Sequence, residues 1–232
     1  MDIGNLEKQI GVQFKNNDLL LTALTHRSYL NENPSWKLDH NERLEFLGDA
    51  VLELAVTDEL YAKYPNPEGE LTNWRAALVN AVMLAQISTE FQLNDYILMS
   101  RGEAKDTGRA RQYILANAME ALIGAIYLDQ GYAVADAFIK RYILKELPRI
   151  IENRLDRDAK SLLQEESQER VGVTPAYKVI NEWGPDHARQ FKIAVIFGDR
   201  EIAQGEGASK QEAQQNAASE ALNKLKWGQS GS

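Results

Sequence analysis

The stretch HNERLEFLGDAVLELAV, residues 40–56, sets Glu42, Glu45 and Asp49, with Glu53 a turn further on, into a largely apolar run. Leu44, Leu47, Val51, Leu54 and Ala55 recur at three- and four-residue spacing, the pattern of a helix that buries one face. The spacing predicts a helix over residues 39–62, with those five apolar residues toward a core. At about 100° per residue, Glu42, Glu45 and Asp49 fall at i, i+3 and i+7, in a strip roughly 60° wide. Like charges on one strip repel, by about a few tenths of a kcal/mol per exposed pair and more when desolvated. The arrangement costs stability unless a cation faces it.

Working outward, the chain up to residue 147 repeats helical spacing and almost nowhere alternates as a strand would. The segments NNDLLLTALTHRSYL, GELTNWRAALVNAVMLAQISTEF and RARQYILANAMEALIGAIYLDQG all carry it. Pro65 and Pro67 are expected to end the acidic helix, and Gly131 to end the last of these. That last helix carries a second polar strip, Asn117 and Glu120, among residues apolar enough to be largely buried. An unpaired buried carboxylate is costly. Two helices that each offer oxygen donors from one face can hold a hard cation such as Mg²⁺ or Mn²⁺. Ion pairs with Arg43, Arg75 or Arg109 are the other reading of the same acids.

After Pro148 the texture changes. PRIIENRLDRDAK is charged and weakly periodic, and residues 148–158 are expected to form a linker. One helix follows (AKSLLQEESQERV), then AYKVINEWG, RQFKIAVIFGD and REIAQGEG, which alternate as strands and are bounded by turn residues. A final helix begins at Ser209, with Glu212 three positions on, a capping-box spacing. The fold expected is an all-α N-terminal domain over residues 1–147, then a small α+β domain of order α-β-β-β-α over residues 159–227. The last five residues, 228–232, are expected to be a disordered tail.

Composition narrows the function. The chain of 232 residues carries 26 basic and 34 acidic side chains, a net charge of −8, and no cysteine. Disulfides, thiolate metal sites and cysteine nucleophiles are thereby excluded. No apolar run is long enough for a membrane helix, and the N-terminal residues lack the pattern of a secretory signal. A cytoplasmic protein with no membrane partner is expected. The acidic balance argues against a nucleic-acid partner, because phosphate neutralisation supplies the sequence-independent part of such affinity. From Asp156 onward ten basic residues stand against twelve acidic ones.

The motifs argue the other way. NERLEFLGDAVL resembles the signature of ribonuclease III, the endonuclease of double-stranded RNA. THRSY, EGELTNWRAALVN and NAMEALIGAIYLDQG follow in that family's order and spacing, and the α-β-β-β-α unit is similar to its double-stranded RNA-binding domain. The resemblance covers roughly residues 5–226. It implies an all-helical endonuclease domain in which Glu45, Asp49 and Glu120 bind divalent metal, Mg²⁺ or in its place Mn²⁺, with no organic cofactor. Asp49 and Glu120 are the pair expected closest to the chemistry, and Glu42 and Glu68 are expected to line the cleft less directly. The family usually has aspartate where this chain has Asn117, which is expected to offer its amide oxygen to the metal. His26 and His40 are expected to be structural.

The implied activity is phosphodiester hydrolysis leaving 5′-phosphate and 3′-hydroxyl ends with short 3′ overhangs, in ribosomal RNA precursors and other structured transcripts. For RNA, the resemblance points to Gln164 and Gln168 on the first helix of the small domain, His187 in the GPDH loop, and Lys210 at the start of the last helix. Gln211 and Gln214 stand where the family often carries charge. Phe46, large, apolar and beside the acids, is expected to enter a socket on a second copy, so that the partners are double-stranded RNA and a homodimer mate. The rival reading is a double-stranded RNA-binding protein whose cleavage is weakened or lost through Asn117.

Overall fold

Nine α-helices among the described residues build the chain as far as residue 152 in the computed structural model, which describes residues 2–185 and 188–227. They are α1 (Ile3–Ile10), α2 (Asn17–Ala23), α3 (Arg27–Glu32), α4 (Glu42–Lys63), α5 (Glu68–Val79), α6 (Ala81–Ser88), α7 (Arg109–Gln130), α8 (Tyr132–Tyr142) and α9 (Leu147–Glu152). Several boundaries follow from capping chemistry. Asn80 breaks one long periodic stretch into α5 and α6: its backbone is extended, and its side chain accepts from the Met83 N–H. His26 caps α3 by accepting from the Ser28 N–H. Gly131 ends α7 at φ 86°, a conformation that favours glycine.

α4 and α7 form the centre of this unit, and glycine sets how closely they lie. A Cβ on Gly48 would stand 1.7 Å from the Glu120 carbonyl oxygen, and one on Gly124 would stand 2.3 Å from that of Leu44. Only hydrogen at both positions allows the two backbones to touch. Half of the residues of α7 are buried, including Ala118, Met119, Leu122 and Ile126. α4 buries Leu44, Val51, Leu52, Ala55 and Val56. Leu54, expected in the core, is instead 57% exposed, and Leu47 is only half-buried. Leu54 lies on the same strip of α4 as Phe46 and Tyr61, which are 81% and 82% exposed. Tertiary packing has shifted the buried face toward Leu52 and Val56.

The two compact units meet between Ile150 and Ile151. α9 runs to Glu152, with Leu147 and Ile150 buried, so the chain is still helical where a linker was expected to begin. The second unit contains α10 (Ala159–Val171), β1 (Ala176–Trp183), β2 (Gln190–Phe197), β3 (Arg200–Gly207) and α11 (Lys210–Leu225). The strands form one antiparallel sheet in the order β1-β2-β3, with Lys178 opposite Ala194 and Ala194 opposite Gln204. Its core joins Leu163, Val195, Ala203, Ala217 and Ala221. A Cβ on Gly205 would meet the Ala217 nitrogen at 2.1 Å, so glycine lets α11 lie directly on β3.

Candidate active site and nucleic-acid interface

The close approach of α4 and α7 brings their two acidic strips together. Glu45 and Asp49 from α4 face Asn117 and Glu120 from α7. Their mutual influence is visible in their proton affinities. Burial, then the charges of Asp49 and Glu45, push the Glu120 carboxyl up to about 7. Burial, then the charges of Glu42 and Asp49, raise Glu45, while the Asn117 amide opposes that rise by hydrogen bonding to the carboxylate. Asp49 is exposed; Glu45, Asn117 and Glu120 are half-buried.

Arginine does not neutralise this cluster. Arg75 pairs with Glu53 at 2.8 Å and donates to Thr57, and Arg27 reaches Glu42 at 3.4 Å. Among the described residues no ion pair holds Glu45, Asp49 or Glu120. The ion-pair reading therefore fails for Glu45, Asp49 and Glu120, while Glu42 has a pair in Arg27 and not in the arginines expected. Nor are the carboxylates closed into a finished cage: among the described residues no group of three or more His, Asp or Glu side chains converges tightly enough to hold an ion. They are hard oxygen donors supplied by two helices whose backbones are in contact, and the charge of Asp49 raises the proton affinity of both Glu45 and Glu120. That donor chemistry fits a divalent cation.

Glu42 is exposed at the start of α4, paired with Arg27 and 3.9 Å from His40. Glu68 is elsewhere. It starts α5 and lines a cavity of about 690 Å³ with Tyr61, Tyr64, Leu71 and Arg75, beside the C-terminal half of α4. Asp49 and Tyr61 are twelve positions apart, about 18 Å along the helix. Within one chain Glu68 does not join the trio. His26 serves as the cap of α3, and burial holds its imidazole below the usual histidine range.

A family model described as Ribonuclease-III-like matches residues 16–147, and one for the double-stranded RNA binding motif matches residues 159–225. The chain belongs to the ribonuclease III family. A ribonuclease 3 of Borreliella afzelii is 46% identical over 217 residues, which is 93% of this chain and 88% of that protein. A ribonuclease 3 of Campylobacter jejuni is 44% identical over 97% of this chain and 98% of its own length. The solved nuclease domain of ribonuclease III from C. jejuni, described as flexible in a region involved in dimer formation, superposes with a TM-score of 0.57 at 43% identity. It covers 63% of this chain and 99% of that one. As a ribonuclease III, the protein is a double-stranded-RNA-specific endoribonuclease, with a helical nuclease unit and an α-β-β-β-α RNA-binding unit.

The residues expected on the RNA-binding face of this ribonuclease III are mostly at its surface. Gln164 is exposed on α10. Gln168, one turn on, is also exposed, but its amide donates to Thr174 Oγ1. His187 lies outside the described residues. Lys210 opens α11, whose Ser209 cap accepts from the Glu212 N–H, while the Glu212 carboxylate accepts from the Ala208 N–H. Gln214, where the family often carries charge, accepts a hydrogen bond from Lys160 Nζ at 2.7 Å. The sequence reading missed Glu182, whose carboxylate meets Lys210; an acid ending a strand gives no signal of such a contact.

Proposed function

We propose that this ribonuclease III cleaves its duplex by metal-assisted phosphodiester hydrolysis at the Glu45–Asp49–Asn117–Glu120 cluster, leaving 5′-phosphate and 3′-hydroxyl ends with short 3′ overhangs. The observation that carries the reading is the cluster itself: three carboxylates, Asp49 exposed and Glu45 and Glu120 half-buried, unneutralised by arginine, with Glu120 raised to about 7 by burial and by its neighbours. Proteins seldom hold such repulsion without using it. Glu45, Asp49 and Glu120 would hold a divalent cation, Mg²⁺ or in its place Mn²⁺, with the Asn117 amide oxygen as a neutral fourth donor. Bound there, it supplies an activated water and charge stabilisation at the leaving oxygen. Asp49 and Glu120 would lie nearest the reacting phosphate, and Glu120 would hold the cation as its carboxylate. Glu42 shapes the cleft from its exposed position.

The duplex has two strands to cut, and an isologous dimer presents two sites to them. Phe46, Leu54 and Tyr61 make an exposed apolar strip along about 22 Å of α4. Such a strip beside an active site suits burial against a second copy, with Phe46 as its anchor in a socket of the partner. The substrates proposed are ribosomal RNA precursors and other structured transcripts, a role that fits the cytoplasm. The test is cleavage of a long, perfectly paired RNA with and without Mg²⁺. Metal-dependent cutting supports the reading; tight binding of the same RNA without cutting favours a binding protein disabled at Asn117.

A further inference from the structure

Lys210, the cation that opens α11, already has a carboxylate partner. Its Nζ lies 3.2 Å from Glu182 Oε1, and its ammonium also sits over the Phe191 ring at 5.5 Å. Glu182 and Phe191 are cross-strand partners on β1 and β2, so the lysine is held above one point of the sheet. The other Glu182 oxygen, Oε2, lies 3.9 Å from Arg189 Nη1. One acid thus faces two bases at the end of the sheet that leads into the β1–β2 loop. The same habit runs through the unit. Arg154 and Arg170 pair with Glu166, Arg157 with Glu165, and Lys192 with Glu206. In an RNA-binding unit with more acids than bases, six of the eleven basic side chains face an acid of the same unit among the described residues.

We propose that Glu182 is a built-in competitor for RNA phosphate: its carboxylate occupies Lys210 in the free protein and must be displaced when a duplex docks. This rests on the reading that Lys210 meets RNA. A phosphate approaching the start of α11 finds favourable partners in the helix dipole and the ammonium. It also meets a carboxylate of its own sign. Docking therefore exchanges one anion for another at Lys210 and leaves Glu182 to Arg189, 3.9 Å away, and to cations from solution. The exchange lowers affinity and makes it less dependent on salt, because one fewer counterion is released overall. Lys210 is 57% exposed and Glu182 38%, so the pair is weak in itself and readily opened. The contact tunes binding without blocking it.

The experiment measures binding of the full-length protein in EDTA to a labelled RNA duplex of about 20 base pairs, long enough for one such unit, by fluorescence anisotropy across a series of salt concentrations. Glu182→Gln is expected to tighten binding about twofold to fivefold near 0.1 M salt, the range for removing one screened like charge. It should also steepen the slope of log K against log salt by up to about one. Glu182→Ala should act the same way, and a melting curve for each variant verifies folding. Lys210→Gln should weaken binding and flatten the slope. In a Lys210→Gln background the gain from Glu182→Gln should fall by at least half. Unchanged or weaker binding by both Glu182 variants, with Lys210→Gln still weakening it, would overturn the competitor role alone. An equal gain in both backgrounds would overturn it too, since repulsion would then act without Lys210. No effect from Lys210→Gln would overturn the placement of Lys210 at RNA, and the inference with it.

Discussion

Gly48 and Glu120 are in backbone contact: a Cβ on Gly48 would stand 1.7 Å from the Glu120 carbonyl oxygen. The contact fixes α4 against α7 at the turn that carries Glu45 and Asp49 on one side and Glu120 on the other. A methyl group there must push the helices apart. Gly48→Ala is expected to cost about 3 kcal/mol, roughly 10 °C in melting temperature for a unit of this size. Cleavage should fall further than the loss of folded protein explains, because the two halves of the site separate. Gly69 on α5 is the control: a Cβ there meets nothing within 4 Å. Gly69→Ala should be neutral or stabilise by about 0.5 kcal/mol, since alanine is the better helix former. Thermal melts of the two variants side by side check both signs.

Glu120 gives the metal-free protein a pH dependence of definite sign. Its carboxyl titrates near 7 in the folded chain against an ordinary 4.5. The raised group contributes stability at low pH, fully present below 4.5 and lost as pH rises through 7, because the folded state then must carry a charge it resists. The loss is about 3 kcal/mol at most. Glu120→Gln removes that term. In EDTA, the melting temperature of the variant relative to wild type should rise between pH 5 and about pH 8. Equal pH profiles for the two proteins would contradict the assignment of the charge repulsion to this carboxyl.

Much of this was legible in sequence, for identifiable reasons. Helical spacing predicted that Glu45 and Asp49 share one strip of α4 and that α7 is buried, and these follow from local geometry. The α-β-β-β-α order of the second unit was readable from alternation and turns, and the Ser209 cap from its spacing to Glu212. What spacing could not supply was tertiary. Leu54 repeats like a core residue, yet it is 57% exposed. Gly48 reads as a helix-weakening glycine until the Glu120 carbonyl is placed against it. Glu68 belongs to the acids by motif, but its helix sets it beside Tyr61 and Arg75, away from Asp49. The Glu182–Lys210 contact joins residues 28 positions apart and leaves no periodic trace.

Phe46 is 81% exposed and cannot be a core residue of its own chain. Phe46→Ala should weaken self-association by about 2 kcal/mol or more, roughly 30-fold in dissociation constant, as expected for loss of an aromatic anchor. Sedimentation at micromolar concentrations measures it. A wild-type protein that is monomeric there would end the dimer proposal.

Asn117 sits beside Glu45 and favours its charged form through a hydrogen bond. Asn117→Asp replaces that donor with a fourth negative charge. The metal-free variant should therefore melt lower than wild type, and saturating Mg²⁺ should raise its melting temperature by more. The Mg²⁺ concentration for half-maximal cleavage should fall. Unchanged metal dependence in both melting and cleavage would place Asn117 outside the metal's ligands.

The most direct test is a paired measurement on Glu120→Gln: Mg²⁺-dependent cleavage of a long RNA duplex, and binding of a short one in EDTA. Glu120 is assigned to the metal site in the nuclease unit, whereas duplex binding is carried by the second unit. Cleavage should fall by at least 10³-fold, the scale of losing an interaction made at the reacting group, while the dissociation constant for the duplex stays within about twofold. Cleavage near the wild-type rate at ordinary Mg²⁺ would contradict the account.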